Sequence, residues 1–216
     1  MKILQTKWMS LVLLAIAFLL IYNPFTKFPY TFCVIILFIL VATYLQQNSL
    51  TSLNFKKLGW RELKIIVAAY LVIEFSMDFV VEPLIDWVCN EPADYSVFAG
   101  MQGNTPAYLK WLSSMWISAA IGEELLFRAF AFTQLKNVLG DRKILIVFLS
   151  ALLFCVPHLY QGVAGLSGTF VFGLAFGLLY LKYQNIWINI IVHGLIDTLF
   201  LTLSYLGYLE FYNFVW

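Results

Sequence analysis

The stretch IGEELLFR, residues 121–128, places two carboxylates and a guanidinium within an otherwise apolar segment. Glu124 and Arg128 are four residues apart, which is the spacing of neighbours on one helical face, so we expect an ion pair. The side chain of Glu123 points about 100° away from that of Glu124 on an α-helix with 3.6 residues per turn. The pattern therefore predicts a local ion pair and a separate carboxylate that is available for chemistry.

Both histidines of the chain lie within or at the end of apolar segments. His158 is four residues after Phe154, in a stretch that Pro157 is expected to kink or end. His193 is four residues before Asp197, so these two side chains share one helical face. A single histidine in an apolar helix is most often a packed core residue. Here both histidines of the chain lie in apolar segments, and the same chain has an unpaired glutamate in such a segment. This combination favours a common polar site.

A poorly solvated cavity makes a carboxylate a stronger base, which suits it to general base catalysis near neutral pH. Glu123, paired with a histidine, could take a proton from water and direct the hydroxide at an amide carbonyl. The oxyanion that forms needs hydrogen-bond donors, which His193 and a neighbouring group could supply. No serine or cysteine has matching spacing to a histidine and no HExxH motif is present, which disfavours a covalent nucleophile and a zincin site.

A metal ion is another way to activate water with the same side chains. The residues that could bind Zn²⁺ or another divalent ion are Glu123, His158, His193 and Asp197. None of their spacings is diagnostic of a metal site. A metal-free reaction that requires no cofactor is favoured, and a metal-dependent reaction stays open.

Three motifs follow one another on successive apolar segments: EExxxR at residues 123–128, FxxxH at 154–158 and HxxxD at 193–197. In this order they resemble the CPBP family of intramembrane proteases. That family includes the CAAX-processing endopeptidases and the bacterial Abi and bacteriocin-immunity-associated proteins. The resemblance covers about residues 105–205 and implies an endopeptidase, of glutamate type or metal-dependent.

The resemblance also implies roles for individual residues. Glu123 is the water-activating base, assisted by His158. Arg128 holds Glu124 and shapes the site, with Phe154 as a further supporting residue.

By the same resemblance, His193 and Asp197 face the oxyanion. The better-studied CAAX proteases have Asn at the second of these positions, and a carboxylate cannot donate a hydrogen bond unless it is protonated. Asp197 is therefore expected to orient His193 through its ring N–H, to be kept neutral by burial, or to bind a metal.

The composition places these motifs in a membrane. The 216 residues are 62% hydrophobic and 12% charged, which is typical of an integral membrane protein. The 13 basic and 12 acidic residues nearly cancel, so no nucleic-acid partner is expected. The three cysteines are scattered and form no CxxC pair, which disfavours a disulfide framework or a zinc ribbon.

Apolar runs long enough to cross a bilayer predict seven transmembrane helices. They lie at about residues 8–23, 29–46, 63–81, 109–133, 143–160, 164–182 and 186–206. The predicted fold class is an all-α, polytopic helix bundle that forms one membrane domain. Residues 1–104 are expected to supply N-terminal helices and an outer loop at 82–108, and residues 105–206 the catalytic core.

Basic residues predict the orientation of this bundle. Ten lie in segments on the side of the N-terminus: Lys2, Lys7, Lys56, Lys57, Arg61, Lys64, Lys136, Arg142, Lys143 and Lys182. Two, Lys27 and Lys110, lie on the opposite side. The positive-inside rule then predicts N-in and C-out. The short chain and small loops favour an Abi-like member in a bacterial cell membrane.

Glu74 and Asp78 are four residues apart in the third predicted helix. They could line a polar cavity or lie near its outer mouth. This feature is a weaker indication of a site than the three motifs.

The expected partners are membrane lipid and a peptide or membrane-protein substrate, and the oligomeric state is left open. A non-catalytic scaffold or a bacteriocin self-immunity protein, acting by binding a partner, is the first competing function. A protein that acts only by binding would not need the intact set of Glu123, His158 and His193, so the presence of this set disfavours that function. A transporter with proton-relaying carboxylates is the second, and neither inverted repeats nor substrate-binding helix breaks are visible for it.

Overall fold

The computed structural model describes residue 4 and residues 6–213, so Lys2 lies outside the described residues. Within them the chain forms helices and no strand, which confirms the predicted all-α class. The α-helices of the described chain are α1 (Lys7–Leu19), α2 (Tyr30–Gln47), α3 (Trp60–Ser76), α4 (Glu82–Cys89), α5 (Thr105–Met115), α6 (Ala131–Leu139), α7 (Lys143–Cys155), α8 (Gly162–Tyr183) and α9 (Ile186–Leu206).

Segments of altered helical pitch join several of these helices. The wide π-type turns of Met77–Val81 join α3 to α4, and those of Trp116–Phe130 join α5 to α6. The tight 3₁₀ turn Val156–Gln161, which includes Pro157, separates α7 from α8. Each of the seven predicted segments is therefore helical over most of its length.

The expectation of a loop from residue 82 is wrong for residues 82–89, which form α4. Pro83 is in the first turn of this helix. Asn90 adopts a left-handed conformation with φ of 56° and ends the helix. The acidic residues misled the prediction because they are turned inward: Asp86 is only 4% exposed.

Among the described residues, three helical stretches are long and apolar enough to cross a membrane, namely Tyr30–Gln47, Lys143–Tyr183 and Ile186–Leu206. The shorter stretch Lys7–Tyr22 is also apolar. Large apolar side chains such as Leu37, Val72 and Phe75 are exposed on the outside of the bundle. A surface of this kind matches lipid rather than water.

The connections divide the bundle into two ends, because short connections make successive helices antiparallel. One end carries residues 23–29, 90–104, 156–161 and 207–213. The other carries residues 48–59, 140–142 and 184–185, near which Lys56, Lys57, Arg61, Lys64, Arg142, Lys143 and Lys182 are found. The N-in, C-out orientation stays a prediction.

The segment Trp116–Phe130 runs through the centre of the fold and packs against α2 and α9. At its end the N–H of Ala131 bonds to the carbonyl of Leu126, five residues back, which is the π-helical pattern. A regular α-helix was expected here. The wider turn brings adjacent side chains closer in angle than the 100° of an α-helix, while residues four apart still share a face.

Close packing of α2 on this central segment requires a glycine. A Cβ atom at Gly122 would lie 2.5 Å from Cδ1 and 3.0 Å from Cγ of Phe32. These atoms belong to the inner part of a ring that is itself packed in the core, so they cannot move aside easily. The absence of a side chain at residue 122 therefore sets how closely the two helices approach.

We expect Gly122→Ala to lower the free energy of unfolding by about 1–3 kcal/mol, because it overpacks this contact. The matched control is Gly100→Ala, where an added Cβ meets nothing within 4 Å. Unfolding of both purified variants in detergent, followed by circular dichroism, measures the difference. Equal stability of the two variants would contradict this account of the α2 packing.

Candidate active site

A cavity of about 560 Å³ lies between the central segment and the helices around it. Its lining includes five of the seven residues singled out from the three motifs, namely Glu123, Phe154, His158, His193 and Asp197. They come from the central segment, the α7–α8 region and α9, which are far apart along the chain. The tertiary structure thus brings together side chains that the sequence places on three separate apolar segments. The volume falls within the range of small-molecule and peptide side-chain pockets.

Glu124 and Arg128 form the predicted ion pair, with both side chains fully buried. The Nη1 atom lies 3.2 Å from Oε1, an ion-pair contact whose alignment is not that of a hydrogen bond. The guanidinium carbon lies 4.2 Å from the ring centroid of Phe154 and 5.3 Å from that of Phe176. Two aromatic faces therefore compensate much of the desolvation of the Arg128 charge, since such contacts strengthen away from water.

The Glu124 carboxylate also accepts two hydrogen bonds from α9. Its Oε1 accepts from Nδ1 of His193 at 3.0 Å, and its Oε2 accepts from Nδ2 of Asn189 at 3.1 Å. The same amide group of Asn189 donates to the carbonyl of Phe176 in α8 at 2.9 Å. One buried carboxylate thereby links the central segment to α9, and through it to α8.

These contacts correct one expectation for Asp197. Its Oδ2 lies 3.8 Å from Nε2 of His193, which is beyond hydrogen-bond distance. The ring is oriented instead by Glu124 at Nδ1. Asp197 lies on the same face of α9 as His193, but Nδ1 of the His193 ring points to the neighbouring central segment, where Glu124 lies.

Both histidines are held at Nδ1 and leave Nε2 available to the cavity. Nδ1 of His158 is 3.0 Å from the carbonyl oxygen of Phe154, and a carbonyl only accepts, so Nδ1 carries the proton. In the neutral ring Nε2 is then an acceptor. His193, held at Nδ1 by Glu124, also directs Nε2 to the cavity side, and its ring stacks on Phe176 at 5.0 Å between centroids.

Phe154 is the apolar neighbour shared by these charged groups. Its ring centroid lies 5.3 Å from that of His158 and 6.2 Å from that of His193. The ring also packs edge-on against Phe127, with 5.4 Å between the centroids. It also covers the guanidinium of Arg128. This explains why an aromatic residue in the FxxxH motif supports the site.

Glu123 differs from Glu124 in its surroundings. It is half-buried and lines the cavity, and no described residue donates a hydrogen bond to its carboxylate. The structure therefore keeps the division that the sequence predicted, with one paired and one unpaired glutamate. Adjacent positions on one helix face two different environments.

The four possible metal ligands do not form a ready-made metal site. Among the described residues no group of three or more His, Cys, Asp or Glu side chains is arranged to hold a metal ion. Nδ1 of both histidines is already engaged in a hydrogen bond.

Sequence reasoning missed several residues of this region. Asn189 precedes His193 by four residues and continues the HxxxD spacing toward the N-terminus of α9, which is a signal that could have found it. Glu82 lines the cavity together with Glu74 and Asp78, and all three follow a four-residue spacing. The misplaced loop boundary hid this regularity. Phe176 had no recognisable signal, since it is one of 20 phenylalanines.

Comparison with known families covers the part of the chain that carries these motifs. Residues 105–199 match the family described as type II CAAX prenyl endopeptidase Rce1-like. This segment is Rce1-like. The match confirms the family resemblance predicted from the three motifs, all of which lie within the Rce1-like segment. No curated protein and no solved structure matches the chain.

The Rce1-like segment does not enclose the cavity by itself. Phe32 of α2, Glu74 of α3 and Glu82 of α4 precede the matched residues and contribute to the cavity wall. The largest apolar core likewise combines Ile35 of α2 with Phe130 of the central segment. The N-terminal helices are thus part of the same packed unit as the Rce1-like helices.

We expect Arg128→Met to lower the free energy of unfolding by about 3–5 kcal/mol, because it leaves the buried Glu124 charge without its cationic partner. The matched control is Lys136→Met, which removes a pair with Asp141 whose side chains are 67% and 81% exposed. An exposed pair contributes little, so the control should remain close to wild type. Denaturant unfolding in detergent compares the two, and similar losses would contradict a special role for the buried pair.

Proposed function

We propose that the protein is a membrane endopeptidase that hydrolyses a peptide bond of a membrane-associated peptide or protein, using water activated by Glu123. The observation that carries this proposal is the meeting of Glu123, His158, His193 and Asp197 in one cavity. The Rce1-like match supports it, because the matched family is described as a CAAX prenyl endopeptidase.

In the first step the Glu123 carboxylate accepts a proton from water while the water oxygen attacks the carbonyl carbon of the substrate. No described residue donates a hydrogen bond to this carboxylate, so its basic oxygens are available to water. Nε2 of His158 is an acceptor that can hold the second hydrogen of the water and fix its direction. A positioned base of this kind contributes about 10²–10⁴-fold to the rate.

The second requirement is a donor for the oxyanion. His193 donates from Nδ1 to Glu124, so it can donate from Nε2 only as the doubly protonated imidazolium. Glu124 at 3.0 Å and Asp197 at 3.8 Å from the ring nitrogens supply the negative charge that stabilises this cation. Asp197 then acts through its charge and does not itself need to donate a hydrogen bond.

In the last step the proton held by Glu123 passes to the leaving nitrogen as the carbon–nitrogen bond breaks. The products are a carboxylic acid and an amine, and Glu123 returns to its starting form. Glu124, Arg128 and Phe154 are positioning residues in this scheme, since they act by holding His193.

This scheme requires no cofactor. A divalent ion such as Zn²⁺, if bound by the same four residues, would supply Lewis-acid activation of water. We further propose that the protein is a multi-pass protein of a bacterial cell membrane in the N-in, C-out orientation, which would direct the cavity away from the cytoplasm. Membrane lipid and a peptide or membrane-protein substrate are the proposed partners.

We expect Glu123→Gln to reduce cleavage by at least about 100-fold, since glutamine cannot accept the proton of water. The measurement uses purified protein in detergent with a library of quenched-fluorescence peptides. Glu62→Gln is the matched control, because Glu62 is half-buried at the opposite end of the bundle, where it caps α3, and glutamine also fits such a cap.

Equal cleavage by wild type and Glu123→Gln would overturn the assignment of the base. Metal analysis of the same samples tests the cofactor. Stoichiometric zinc that is lost on replacing either histidine would overturn the metal-free mechanism while leaving the site itself in place.

A further inference from the structure

Three carboxylates outside the motifs line the same cavity as the proposed catalytic residues. Glu74, Asp78 and Glu82 follow a four-residue spacing from the end of α3, through the wide turn, to the start of α4. We call them the acidic arm. The like charges of Asp78, Glu82 and Asp197 repel that of Glu74, and all four residues line the same cavity.

The acidic arm has no cationic partner in the described part of the chain. None of its members lies within 4.0 Å of a lysine, arginine or histidine nitrogen there. Lys27 is the single lysine or arginine among the residues that line the cavity, and it is exposed. Glu74 is buried, and Asp78 and Glu82 are half-buried. Carboxylates that are partly withdrawn from water are more favourable with a counter-charge, so a cation from outside the chain would stabilise this arrangement.

Glu74 provides independent evidence for a ligand. Its side chain belongs to a residue that is only 8% exposed, and its Oε2 atom has no hydrogen-bond partner in the described residues. Buried polar atoms in native proteins almost always have a partner. Because this oxygen lies in the cavity wall, it can accept a hydrogen bond from a donor group of a ligand.

Aromatic rings stand beside the acidic arm. Tyr95, Phe200 and Tyr212 line the cavity as one cluster, with centroids 5.2 Å apart for Tyr95 and Phe200 and 4.9 Å apart for Phe200 and Tyr212. Tyr212 interacts electrostatically with the three acidic residues, and its buried hydroxyl has no described partner either. Aromatic faces next to carboxylates suit a long side chain with an apolar stem and a cationic head.

We propose that the acidic arm is a specificity subsite that binds the side chain of a lysine or arginine of the substrate, close to the bond that is cleaved. This inference rests on the proposed endopeptidase function and names a class of substrate for it. The carboxylates are spread along about two helical turns and do not converge as metal ligands among the described residues. An extended organic cation fits this arrangement better than a small ion.

The test uses pairs of quenched-fluorescence peptides that differ at one position, which is lysine or its uncharged analogue norleucine. We expect wild type to cleave the lysine peptide with a kcat/KM at least about tenfold higher. In Glu74→Gln and in Asp78→Asn this ratio should fall to within about twofold of unity. Because both peptides are measured on one sample, the ratio does not depend on the fraction of folded protein.

Asp86→Asn is the matched control. Asp86 is a buried acid one turn beyond Glu82 in the same spacing, and it lines a small neighbouring cavity instead of the large one. Its replacement should leave the wild-type ratio intact. A ratio near one in wild type, or a high ratio retained in both acidic-arm variants, would overturn the subsite.

A binding measurement separates this inference from the proposed function. Fluorescence polarisation of the labelled peptides is followed on the Glu123→Gln protein, with and without the added Glu74→Gln replacement. Charge-dependent binding without cleavage by wild type would support the subsite and overturn the endopeptidase function. Cleavage without charge preference would overturn the subsite alone. Saturable Ca²⁺ binding that Glu74→Gln removes, without peptide preference, would replace it with a metal site.

Discussion

The buried carboxylate of Glu124 is the constraint on which the rest of the structure depends. A charge placed inside an apolar bundle must find partners, since leaving it unpaired would be strongly destabilising. Glu124 finds them in Arg128 on its own segment and in Asn189 and His193 on α9. The amide group of Asn189 extends the network to the backbone of α8. The packing of three helices and the direction of one histidine ring are thereby set by a single group.

Aromatic side chains contact the Arg128 guanidinium, whose nitrogens have no hydrogen-bond partner among the described residues. Phe154 and Phe176 cover the Arg128 guanidinium, and the same two rings pack against His193. Their faces carry partial negative charge, which lets an apolar surface stabilise a cation where hydrogen-bond geometry is poor. The same two rings therefore contribute both apolar packing and electrostatic stabilisation, and both effects help to orient His193.

The cavity shows how one short stretch of helix serves two purposes. Glu124 points into the packed network, while the adjacent Glu123 points into a space of about 560 Å³ with no described donor for its carboxylate. Further carboxylates reach this space from α3 and α4, outside the Rce1-like segment. The matched residues carry the family motifs, and the N-terminal helices add walls and charges that the motifs do not describe.

Local periodicity made much of this predictable from the sequence alone. The long apolar runs determined the helices, and the four-residue spacing determined the Glu124–Arg128 pair, because both depend only on the geometry of one helix. Three motifs in order predicted the family resemblance, which the match over residues 105–199 confirms. Only the tertiary structure decided that Glu124, and not Asp197, holds His193, and that His158 reaches the same cavity. It also decided that the helix continues past residue 81, so that acidic residues expected in a loop face inward. These features depend on how separate helices pack and rotate against one another, and a sequence read one helix at a time does not contain that information.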